Sequence, residues 1–175
     1  MKNKFAPLII TAISLLFSCA SNHPPLETVA YVDLEKYTGV WYDVASFPQR
    51  FQKGCHCTSA TYTLKEDYLE VFNQCKKIDK EQPSSVTGKA FVKNPGVNSQ
   101  LSVQFFWPFR GKYWIIGLDE DYQFAVVGEP SRKYLWILSR QAQPSEQDLQ
   151  KWIQVAADKG FQVENLVRTV HDCEK

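Results

Sequence analysis

The chain has 175 residues, and its 20 Lys and Arg nearly balance 19 Asp and Glu, for a formal net charge of +1. With no excess of positive charge and no basic stripe interleaved with aromatics, nucleic acid is excluded as an expected partner. The length suffices for one core of ordinary size and leaves little room for a second. At the N-terminus, Lys2 and Lys4 precede an apolar run from Leu8 to Phe17 that is too short to span a bilayer comfortably. Residues 1–18 therefore read as a secretion signal, outside the fold.

That signal ends in "LLFSC", where Leu16, Phe17 and Ser18 precede Cys19. The pattern resembles the lipobox of bacterial lipoproteins, which implies cleavage before Cys19 and acylation of its thiol and amine. Ala20 follows where an inner-membrane retention signal would place Asp, so the resemblance implies the bacterial outer membrane. Several acyl chains, at about 0.8 kcal/mol per buried methylene, hold such an anchor where one chain is marginal. The competing reading is an ordinary secreted protein with an unpaired cysteine. Residues 19–30 combine this cysteine with "ASNHPPLETVA", a stretch without apolar periodicity that carries a Pro-Pro pair and reads as a flexible tether. The domain proper is expected at 31–175.

From there the chain is a series of short alternating segments closed by turn residues. The first is "YTGVWYDVASFPQRF" at 37–51. Then "TSATYTL" and "YLEVFNQC" flank Glu66-Asp67 as a hairpin. "SVTGKAFVK" stops at Asn94-Pro95-Gly96, "SQLSVQFFW" at Pro108, "KYWIIGLD" at Glu120-Asp121 and "YQFAVVG" at Glu129-Pro130, and "KYLWILSR" is the last. No helix interrupts these eight strands, so neighbours are expected to be antiparallel in up-and-down order. One segment has a helical period: after Ser145 as N-cap, Leu149, Trp152, Ile153 and Ala156 share a face, and Gly160 is the stop. The fold class is thus all-β, an eight-stranded antiparallel barrel with one C-terminal amphipathic helix packed outside.

Eight strands closed on themselves enclose either packed side chains or one small ligand. Period 2 directs inward Ala60, Tyr62, Leu64, Leu69, Val71, Asn73, Gly88, Ala90, Val92, Leu101, Val103, Phe105, Tyr113, Ile115, Gly117, Ala125, Val127, Tyr134, Trp136 and Leu138. The mixture of small and aromatic side chains points to a cavity. Val71, Ala90, Val103, Phe105, Tyr113, Ile115, Val127 and Trp136 are the expected ligand contacts.

Three motifs then stand in order: Gly39-Val40-Trp41 with "YDVASFPQRF", the stretch "LDEDYQFAVVGEPSRKYLWILSR", and Arg140 ahead of the helix. Together they resemble the lipocalin family over nearly all of 31–172, above all its bacterial lipoprotein branch of the Blc type, and more distantly apolipoprotein D. A departure is Glu120-Asp121-Tyr122, where the family's second motif has Thr-Asp-Tyr. The resemblance implies that Trp41 plugs the closed end, that Arg140 lays its guanidinium on the indole, and that Gly39 lets the backbone pass close by. It also implies a fatty acid or a lysophospholipid as the bound partner.

Without Cys19, the cysteines are Cys55, Cys57, Cys75 and Cys173, an even number in an oxidising compartment. Cys55-His56-Cys57 has one residue fewer between its cysteines than zinc sites prefer, so disulfides are expected and no metal. The residues alone leave three pairings open, and hairpin register would also bring Cys57 near Cys75. The resemblance to apolipoprotein D implies Cys57–Cys173, which leaves Cys55–Cys75. His23 lies in the tether, His56 between cysteines and His171 in the tail, and none follows a Gly-x-Ser-x-Gly turn, so neither catalysis nor a cofactor is expected. Phe106, Trp107 and Phe109 are expected at a rim turned by Pro108, where they guide an acyl chain, cover a homodimer contact or pack ordinarily. The leading reading is a lipid-binding lipoprotein. Its rivals are a structural envelope lipoprotein with a filled barrel, acting through its surface, and an enzyme on the same fold.

Overall fold

The computed structural model describes residues 23–77 and 82–173, so the signal segment and Cys19 lie outside the described residues. Alternating β-branched and aromatic residues form β1 (Gly39–Ser46), β2 (Cys55–Leu64), β3 (Leu69–Lys77), β4 (Ser84–Val92), β5 (Gln100–Gln104), β6 (Gly111–Leu118), β7 (Phe124–Gly128) and β8 (Leu135–Ser139). Each pairs antiparallel with the next, and β1 pairs with both β8 and β2, which closes the ring and removes its edges. A short α1 (Leu34–Tyr37) precedes β1, and a two-residue β9 (Val167–Arg168) adds to the second half of β1. Neither was expected, because one turn of helix and two residues of strand carry no measurable period. β5 stops at Gln104, short of the expected Trp107, because the chain turns at once and the Phe109 amide donates to the Phe106 carbonyl.

The side chains divide into two clusters. Inside the ring, Trp41, Tyr62, Leu69, Val71, Ala90, Leu101, Val103, Ile115, Ala125, Val127 and Leu138 pack together. Outside it, Val44, Ile116, Val126 and Ile137 meet Leu149, Trp152 and Ala156 of α2 (Glu146–Asp158). Ser145 caps that helix by accepting from the Asp148 amide, and the chain leaves it through Gly160 at φ +81°.

The alternation fails where the register shifts. A bulge between Ile115 and Gly117 turns Ile116 and Gly117 to the same outer side. Gly117, expected inside, therefore faces α2: a Cβ there would stand 2.9 Å from Val155 Cγ1 and 3.3 Å from Trp152. Leu64 and Tyr134 were also expected inside. They are 40% and 42% exposed, because each lies at or beyond the end of its paired strand.

The expected tether is shorter than its composition suggested. Leu26 is buried in the outer cluster, the Val29 amide donates to the Ile115 carbonyl at 3.0 Å, and Arg132 Nη2 donates to the Pro24 carbonyl at 2.9 Å. Residues 24–30 thus lie on the barrel as an extended strap, a state that isolated apolar residues permit without periodicity. Residues 23–77 and 82–173 close the hydrogen-bonded ring, bury both clusters and hold both disulfides, so this part of the chain carries its own core.

Candidate ligand-binding site

Up-and-down order sends alternate connections to opposite ends. One end is shut by α1. There Trp41 is fully buried, and its indole Nε1 donates to the Tyr37 carbonyl at 2.9 Å. The Arg140 guanidinium lies 3.9 Å from the indole centroid and donates to the carbonyls of Val40, Lys36, Thr38 and Tyr122. Gly39, at φ +91°, leaves room for it, since a Cβ would come within 3.3 Å of Arg140 Nη1. Above this plug, Tyr113 Oη shares hydrogen bonds with Tyr37 Oη at 2.8 Å and Tyr62 Oη at 2.7 Å. Burial raises the pKa of all three phenols, so they stay protonated.

Of the expected ligand contacts, Val71, Ala90, Val103, Ile115 and Val127 are buried in the inner cluster, while Phe105, Tyr113 and Trp136 are partly buried beside it. Phe105 lies over Gly88, where a Cβ would meet its Cδ1 at 2.6 Å. The connections 47–54, 105–110 and 129–134 share the end opposite α1, and on the second of them Phe106, Trp107 and Phe109 are 71%, 85% and 77% exposed. This is the aromatic rim expected from the sequence.

Close to this end, β1 parts from β2 and β9 takes its place, and here lies a cavity of about 430 Å³. Asp43 lines it while only 4% exposed. Its Oδ2 accepts from Ser46 Oγ at 3.0 Å and from Gln52 Nε2 at 2.9 Å, whereas Oδ1 is buried with no hydrogen-bond partner. Gln52 also accepts, through Oε1, from the Trp136 indole at 3.4 Å, which links the cavity to the inner face. Sequence reasoning missed this cluster, although counting two residues inward from Trp41 reaches Asp43. Nothing in the sequence marks Gln52, which a short 3-10 turn carries over the mouth.

A family model described as a lipocalin-like domain matches residues 32–171. The chain belongs to the lipocalins. This lipocalin is 37% identical over 161 residues to the outer membrane lipoprotein Blc of Citrobacter freundii, covering 90% of this chain and 91% of that protein. It is 38% identical over 154 residues to temperature-induced lipocalin-1 of Arabidopsis thaliana, covering 82% of each. Insecticyanin from the tobacco hornworm Manduca sexta matches in structure with a TM-score of 0.68 over 87% of both chains, at 15% identity, a likeness of fold alone.

In this lipocalin both disulfides take the pairing that the resemblance implied. Cys57 joins Cys173 with Cα atoms 6.2 Å apart, and Cys55 joins Cys75 at 5.5 Å. The first ties the tail to β2, where the Cys57 amide also donates to the Val170 carbonyl at 2.8 Å. His56 and Asp172 stand beside it, Nδ1 to Oδ1 at 3.5 Å. The third donor of that group, Cys173 Sγ, is spent in the disulfide and offers no thiolate to a metal.

Burial pushes the Asp43 carboxyl up from 3.8 to about 6, against the hydrogen bonds from Ser46 and Gln52 and a third, weaker one from the Thr169 side chain. Between those two values the folded state holds the proton more readily than the unfolded chain. Stability is therefore lost as pH rises through this window, and the cost is complete above about 6. At 1.36 kcal/mol per unit it amounts to roughly 3 kcal/mol. Asp43→Asn should accordingly stabilise the protein at pH 8 and bring no gain below pH ~4. Urea unfolding of both proteins at the two pH values checks this, and an equal difference at both would contradict it.

Proposed function

We propose that this lipocalin is a binding protein anchored in the bacterial outer membrane through acylated Cys19, and that its barrel receives the single acyl chain of a fatty acid or lysophospholipid. One observation carries the reading. Partly buried Phe105 and Trp136 stand between an exposed aromatic rim and an apolar inner wall whose floor is the Tyr113 cluster, as an entry path for a chain requires. The lipobox pattern and the likeness to the outer membrane lipoprotein of Citrobacter freundii support the anchor. Cys19→Ala should then leave the protein unanchored when envelopes are fractionated.

Lipocalins are generally binding and transport proteins, and the apolar inner wall suits a bound chain, so binding is favoured over catalysis. The experiment is titration of the delipidated chain from residue 20 onward with saturated chains of graded length, followed by tryptophan fluorescence and repeated on Trp136→Phe. Each methylene leaving water contributes about 0.8 kcal/mol before ordering costs, so affinity should rise up to roughly fourfold per methylene until the space is full.

A second reading has its own support: Val71, Ala90, Ile115 and Val127 are 0–2% exposed, the packing of a filled barrel. In that case the exposed Phe106, Trp107 and Phe109 serve contact between two copies or with another envelope component. Absence of saturable binding at every chain length would favour it.

A further inference from the structure

The cavity at the parting of β1 and β2 brings charged and polar side chains into a lining that is otherwise largely apolar, which the inner barrel wall does not. Asp43 lines it, and its buried Oδ1 finds no hydrogen-bond partner among the described residues, an orphan that is costly unless something donates to it. Ser46 and Gln52 hold the other oxygen, so the carboxylate is fixed and cannot turn Oδ1 toward a partner elsewhere. Arg50, Lys53 and Arg168 also line the cavity, with Arg168 paired to Glu146 at 2.6 Å. Their charge opposes an ammonium group, whereas a neutral hydroxyl donates to Oδ1 without repulsion. A free carboxylate finds the cations but has no proton for Asp43, and it meets a like charge there.

Resting on the binding function proposed above, we propose that this cavity is a head-group subsite. Asp43 acts in it as a specificity residue that selects single-chain amphiphiles whose head donates a hydroxyl to its Oδ1. At about 430 Å³ the space suits a small polyol head, and the Gln52 bridge to Trp136 places that head next to the inner wall on which the chain lies. Hydrogen bonds to an ionised acceptor are about twice as strong as neutral ones, so the selection rests on the charge of Asp43 as well as its position.

The test compares three probes of one acyl length at pH 8: a monoacylglycerol, which donates hydroxyls; the fatty acid, which carries charge without a donor; and its methyl ester, which has neither. They are titrated into the delipidated chain from residue 20 onward and into Asp43→Asn. In the wild-type chain the monoacylglycerol should bind at least about tenfold tighter than the methyl ester. Asp43→Asn removes the charge and supplies an amide donor, so it should lower the ratio of monoacylglycerol to fatty-acid affinity about tenfold. The methyl ester should bind both proteins alike, which separates specificity from damage to the fold. A ratio unchanged by Asp43→Asn, or a common shift of all three probes, overturns the subsite and leaves the binding function standing. If no probe binds either protein, both fall.

Discussion

Arg140→Ala is expected to lower the free energy of unfolding by on the order of 3 kcal/mol, although the side chain is partly exposed and far from the mouth. Four carbonyls, from α1, the start of β1 and the turn before β7, converge on this guanidinium. Hydrogen bonds to a charged group contribute about 1.5–3 kcal/mol each when isolated, but they share one group here and are partly screened by water, so they do not add. The contact with the Trp41 indole contributes roughly a further 0.5–2 kcal/mol. Arg140→Lys should recover only a minor part, because one ammonium cannot reach acceptors on several sides in the plane of a fork. Urea unfolding of the three proteins checks the order wild type, Lys, Ala. A Lys variant as stable as wild type would mean that charge alone suffices and that the geometry around Trp41 is incidental.

Removing the Cys57–Cys173 bridge by Cys57→Ser with Cys173→Ser should cost about 2–5 kcal/mol, and more than removing Cys55–Cys75. The first bridge spans 116 residues, the second 20. Closing the longer loop removes more freedom from the unfolded chain. The shorter bridge also joins β2 and β3, whose ladder already holds them together. The long bridge has a local consequence as well. Its tail supplies Thr169, whose amide donates to the Val44 carbonyl, and His171, whose Nε2 is 2.8 Å from the Asp43 carbonyl. Its loss should therefore speed amide exchange at Cys57 (as Ser) and Thr169 while leaving β4 to β7 protected. Equal costs for the two bridges, measured by urea unfolding of each double variant, would refute the loop-length argument.

The eight strands and the outer helix were legible because each repeats a two- or 3.6-residue period over enough positions to stand out from chance. The contact of Arg140 with Trp41 was legible only through family resemblance, since nothing in the spacing of a β1 residue and a residue just past β8 brings them together. What escaped depends on partners. The bulge that turns Gly117 toward α2 is a property of the β6–β7 pair, and a sequence read one strand at a time does not contain it. Docking of Leu26 and Val29 rests on two apolar residues in a polar stretch, too few to make a pattern. The tyrosine cluster was half visible: Tyr62 and Tyr113 were assigned to the interior, but their meeting with Tyr37 requires the closed ring. Asp43 was passed over because an acidic residue on an inward position argues against the very pattern that defines the strand. Such local contradictions are where function is to be sought.

The central claim is that the barrel holds a single-chain amphiphile, and native mass spectrometry tests it most directly. The chain from residue 20 onward is purified from cells without delipidation, then stripped and re-exposed to lipid extract from the same cells. The expected result is a mass above that of the polypeptide by one single-chain lipid per protomer, lost on stripping and regained on re-exposure. A polypeptide mass alone in all three states would contradict it.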